Sequence, residues 1–204
     1  TAVSEMNQKL YTDGKNYYMV YQESSVDTNT LKSYASASTD AEKDSILKSI
    51  WKNVELHVKK YDTENNKWID YGKVKTDGAF DYNADIIVNE GQIYVCSAAN
   101  AEGDYFGTGT DKNYINISNC NINDASATKN WNVKKAAGNL NSVTSLAAGI
   151  KDNKITCVYG VDSDNDLSTD EQEIKSYTDG DSQENTSVCT GNAVTVDYGY
   201  KNDG

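Results

Sequence analysis

The sequence has no arginine and no proline, a single histidine (His57), and no apolar run longer than about four residues. Each absence removes a class of function. Without guanidinium groups, and with 31 acidic against 19 basic side chains for a net charge of −12, the chain is a poor partner for nucleic acid or an anionic membrane. Any membrane contact is expected only through a segment upstream of Thr1. One histidine forbids a di-histidine metal site. No His-Glu-x-x-His, Gly-x-Ser-x-Gly or phosphate loop occurs. The acids are too many for any one pair to be singled out as a general acid and base. A non-catalytic protein is therefore expected. Leu, Ile, Val and Phe are scarce, yet 15 Tyr and 3 Trp argue for a folded, hydrophilic, strand-rich protein with a thin core.

What is present divides by periodicity. Val3, Met6, Leu10, Tyr17 and Tyr21 fall on one stripe of an amphipathic helix over residues 1–24, interrupted by Gly14. The stripe starts at Thr1 without a cap, which predicts a longer helix whose beginning has been removed. Residues 24–40 read as a loop. Thr39 to Glu42 read as a capping box opening a short helix that carries Ile46, Leu47, Ile50 and Trp51 on one face. Alternation then predicts strands at 54–58 and 67–71 around an Asp-Thr-Glu-Asn-Asn turn. A second hairpin is predicted at 86–96, a Gly/Asp loop at 100–113 and a strand at 114–117. A helical stripe over 133–147, stopped by Gly149, precedes Ile150–Val158, which resembles Val88–Cys96. A last strand is predicted at 193–198. These repeats predict two units, 1–124 and 125–204, each a helix with an antiparallel sheet, in an α+β fold.

Four cysteines, Cys96, Cys120, Cys157 and Cys189, form no Cys-x-x-Cys. Three uses stay open. They pair as two disulfides, Cys96–Cys120 and Cys157–Cys189 with one in each unit; or they hold a structural zinc ion, with His57 as a further ligand; or they are buried free thiols. Asp162, Asp164, Asp166 and Asp170, with Glu173, occupy calcium-loop positions 1, 3, 5, 9 and 12, but Leu167 stands where such a loop has glycine. The same stretch is also explained by a capping box at Ser168 and Glu171.

The uncapped half-helix at TAVSEMNQKLYTDGKNYYMVYQES, the Ser/Thr-rich loop and the strands with a late cysteine resemble a type IV pilin headgroup. The doubled pattern and composition resemble clostridial pilins with two pilin-like units. The resemblance implies a structural and adhesive subunit of a surface fibre, extracellular, packed against other pilin subunits through the N-terminal helix and touching host surfaces or other cells. The alternative expectation, from the aromatic content, is a secreted carbohydrate-binding module in which Trp68 and Trp131 stack on sugars.

Overall fold

The computed structural model describes residues 4–76, 78, 80–107, 109–126, 129–162, 172–181 and 185–187. Among these lie twelve strands and two helices: β1 (Ser4–Thr12), β2 (Tyr17–Ser24), α1 (Thr28–Ser36), α2 (Asp40–Trp51), β3 (Val54–Asp62), β4 (Lys67–Lys73), β5 (Phe80–Asn89), β6 (Gln92–Asn100), β7 (Asn113–Asn121), β8 (Asn132–Leu140), β9 (Val143–Lys151), β10 (Lys154–Asp162), β11 (Gln172–Thr178) and β12 (Asn185–Ser187). They build three four-stranded sheets, β1 to β4, β5 to β8 and β9 to β12. In each sheet the strands are neighbours in chain order and antiparallel.

Turn chemistry sets this topology. Asp13 Oδ1 accepts from the Lys15 and Asn16 amides, and Gly14, at φ +85°, reverses the chain between β1 and β2. Glu90–Gly91 and Asp152–Asn153 both have positive φ at two successive residues, the pattern of the type I′ turn, whose twist matches that of the flanking strands. The resemblance between Val88–Cys96 and Ile150–Val158 is thus a pair of equivalent hairpins, β5–β6 and β9–β10. Their turns touch: Asn153 Nδ2 donates to Glu90 Oε1 at 2.5 Å.

The second sheet lies between the other two. Tyr18, Val20, Leu56 and Val58 of the first sheet pack on Ile86, Ile93, Val95 and Trp131. Its opposite face, with Tyr82, Cys96, Ala98 and Ile117, packs on Leu146, Ile155, Cys157 and Tyr159 of the third. The first strands gather, β5 lying against both β1 and β9. Successive four-stranded meanders stacked face to face from their first strands form a propeller-like arrangement.

The fold is therefore mostly β, which corrects the expected α+β fold with a spine helix. Neither pilin-like helix exists. Residues 4–24 form the β1–β2 hairpin, with inward Tyr18, Val20 and Gln22 alternating along β2 and the break at Gly14. Residues 132–151 form the β8–β9 hairpin, and Gly149 lies within β9, opposite Thr156. Three- and four-residue spacings in short hairpins imitate a helical stripe when turn residues are read as part of it. The resemblance to a pilin falls with these helices. Residue 124 lies in the β7–β8 connection inside the second sheet. The capping box at Thr39 and Glu42 is present, and the stretch read as a loop at 24–40 contains α1. No described helix is long and apolar enough to cross a membrane. The strand predicted at 193–198 lies outside the described residues.

Candidate functional site

Register places three rings in one row. Tyr17 on β2 is the direct partner of Tyr61 on β3, and Tyr61 is the direct partner of Trp68 on β4. Directly opposed residues point to the same face of a sheet, so the three side chains form a ladder across the face turned away from the second sheet. Tyr17 is 50% and Trp68 52% exposed, and the Tyr61 and Trp68 ring centroids are 5.2 Å apart.

The two turns below the ladder fix it in place. Asp62 Oδ1 accepts from the Glu64 and Asn65 amides, Asn66 takes φ +51°, and the Tyr61 hydroxyl donates to Asn66 Oδ1. Thr63 Oγ1 donates to the Lys15 carbonyl at 2.6 Å, and Lys15 Nζ lies 2.7 Å from Glu64, tying the β1–β2 turn to the β3–β4 turn. Further along the same face the surface is charged. Glu5, Glu23 and Glu55 are direct cross-strand partners, an arrangement that repels by itself. Lys59 lies 3.3 Å from Glu5, Lys73 lies 2.6 Å from Glu55, and His57 Nε2 lies 3.6 Å from Glu55. The hydrogen bond from Lys73 holds the Glu55 carboxyl below its ordinary value against its partial burial.

The described members of the metal-ligand set expected from the sequence lie in three separate places. Cys96 and Cys157 meet in the core between the second and third sheets, Cys120 packs between the first and second, and His57 lies on the outer face of the first. Cys189 lies outside the described residues. Among the described residues no three His, Cys, Asp or Glu side chains cluster as metal ligands. Cys96 faces Ile117 and Cys120 faces Ile93, odd offsets that put the two sulfurs on opposite faces of one sheet, so the expected Cys96–Cys120 disulfide is not available. Of the calcium-loop residues, Asp164, Asp166 and Asp170 lie outside the described residues. Asp162 ends β10 with its side chain buried, and Glu173 stands on β11 opposite Val161.

Of the two tryptophans expected to stack on sugars, Trp68 is exposed, whereas Trp131 is 5% exposed and belongs to the core. Tyr17 and Tyr61 were missed. The signal for Tyr61 is its position across the Asp62–Lys67 turn from Trp68. A second aromatic group, Trp51, Phe80, Tyr82, Tyr105 and Phe106, packs ring on ring beneath α2 and serves the core. The open groove of about 760 Å³ between Met6 and the two helices presents one ionisable side chain, Asp27, which caps α1.

No family model matches the chain, and no curated protein matches its sequence. Solved structures of similar shape include two glycoside hydrolases. One is Zg3597, a family 117 glycoside hydrolase of the marine bacterium Zobellia galactanivorans, with a TM-score of 0.48 and 14% identity over 85% of this chain and 51% of that one. The other is the Bombyx mori GH32 beta-fructofuranosidase BmSUC1, with a TM-score of 0.45 and 7% identity over 84% of this chain and 34% of that one. The chain thus spans about half and about a third of their lengths. Both are glycoside hydrolases and neither is a pilin. At this level of likeness they carry neither substrate nor mechanism to this chain.

Proposed function

We propose that the protein binds carbohydrate through the Tyr17, Tyr61 and Trp68 row. The observation that carries this reading is the register of three aromatic side chains on adjacent strands, two of them half-exposed. Strands about 4.8 Å apart set the rings at a spacing close to the length of one sugar unit. Aromatic faces carry negative charge density that suits the C–H faces of pyranose rings, and ring burial against them removes apolar surface from water. A row without enclosing walls favours an extended chain over a single sugar, and a shallow site implies weak binding, with Kd of about 10 μM to 1 mM.

The test is a glycan and polysaccharide screen of the full chain, followed by calorimetry on the best binder. Trp68→Ala should weaken binding by about tenfold or more, roughly 1.4 kcal/mol, while leaving Tm within a degree or two, because an exposed ring contributes little to folding. A chain that ignores every polysaccharide offered, or a Trp68→Ala variant that binds as the parent does, overturns the proposal.

A further inference from the structure

Cys96 and Cys157 come together because the two equivalent hairpins carry their cysteines one position apart. Counted from the Glu90–Gly91 and Asp152–Asn153 turns, Cys157 occupies the position of Val95, and Cys96 lies one residue beyond. A one-residue shift along a strand reverses the face. Val95 and Cys157 each face the preceding sheet, so Cys96 faces the following one. The two sulfurs therefore point at each other across the interface between the second and third sheets. The backbone is drawn together at the same level. Asp85 is the strand partner of Cys96, Ala148 is the strand partner of Cys157, and the Ala148 amide donates to Asp85 Oδ2 at 2.8 Å. Small side chains there, Ala98 and Ala148, let the sheets approach. Both thiols are fully buried within the same core cluster.

We propose that Cys96 and Cys157 form a disulfide joining the second and third sheets when the chain folds in the presence of a small-molecule disulfide such as oxidised glutathione. One cysteine thiolate attacks the glutathione disulfide, forming a mixed disulfide and releasing one glutathione thiolate. The second cysteine thiolate attacks the protein sulfur of that mixed disulfide and releases the second glutathione. The protein loses two protons and two electrons, and oxidised glutathione is reduced to two thiols. The exchange takes place before the sheets close. In the closed, reduced protein the neighbouring Cys157 thiol, together with burial, pushes the Cys96 thiol up and leaves little thiolate to react. The bridge closes about 60 residues of chain, which restricts the unfolded state.

The test is refolding of the full chain in a glutathione redox buffer, alkylation of remaining thiols, and peptide mapping without reduction. A linked peptide containing Cys96 and Cys157 is expected, with a Tm on the order of 5–10 °C above that of the reduced protein. The Cys120→Ala/Cys189→Ala double variant should keep both the link and the shift, whereas Cys96→Ala should abolish the difference between oxidised and reduced Tm. Alkylation of Cys96 and Cys157 after oxidative refolding, or linkage of either to Cys120 or Cys189, overturns the proposal. So does a redox-dependent Tm that survives Cys96→Ala.

Discussion

Asp104 spends both carboxylate oxygens on the backbone of the loop before β7, accepting from the Phe106 amide at 3.1 Å and the Gly109 amide at 2.8 Å. Its own amide donates to Asn100 Oδ1 at 2.9 Å. Asp104 is 1% exposed, so removing the carboxylate strands buried amides. Asp104→Ala should cost about 2 kcal/mol, read as a lower denaturant midpoint, and Asp104→Asn should recover part of it. An unchanged midpoint would mean that this loop contributes nothing to the fold. Asp13 makes an acid-sensitive contact. Burial raises its carboxyl, but hydrogen bonds from the Asn16 and Lys15 amides and the Tyr18 hydroxyl outweigh burial and hold it below its ordinary value of 3.8. A carboxyl lowered in the folded state stabilises above its unfolded pKa and loses that contribution as pH falls through the folded one. Asp13→Asn should therefore melt below the parent at neutral pH, and the gap should narrow as pH falls below about 4. A gap of constant size from neutral to acid would contradict the assignment. At this scale the sequence was legible where side-chain chemistry is local, as at the capping box. It was silent on depth. Trp68 and Trp131 both sit among polar neighbours in the sequence, yet one is solvated and the other closes the core.

Hairpins are the elements the sequence wrote most clearly. The Asp62–Lys67 turn, the β5–β6 turn and its β9–β10 equivalent all stand where alternation and turn residues placed them. The β1–β2 and β8–β9 hairpins were hidden because Gly14 and the Asn141–Ser142 break were absorbed into helical stripes. Asp13–Gly14 was itself a hairpin signal. Register, once known, exposes the candidate site. Tyr17, Tyr61 and Trp68 are scattered in the chain and become a row only when three strands pair, so only Trp68 was legible beforehand. Turn geometry carries its own prediction. Asp152 holds φ +49°, a conformation that glycine adopts freely and β-branched residues resist. Asp152→Gly should leave stability unchanged or raise it by up to about 1 kcal/mol, and Asp152→Val should lower it by about 1–2 kcal/mol. The reverse order in urea midpoints would contradict the type I′ turn.

At the scale of the whole molecule, three meanders share two cores, and the second sheet contributes a face to each. The repeat visible between Val88–Cys96 and Ile150–Val158 was a true structural echo. Its frame was misread as helix plus sheet because the strands that complete each meander differ too much in sequence to be matched. The three tryptophans now stand in three environments: Trp51 half-buried against Phe80, Trp68 on the outer face of the first sheet, and Trp131 inside the core. Their indole N–H resonances are therefore three separate reporters of where a ligand lands. The measurement that tests the central claim is an NMR titration of the indole-labelled chain with the best-binding oligosaccharide from the screen. The Trp68 signal should move and saturate while those of Trp51 and Trp131 stay in place. Movement of Trp51 with a fixed Trp68, or no movement at saturating sugar, would contradict a carbohydrate site on the first sheet.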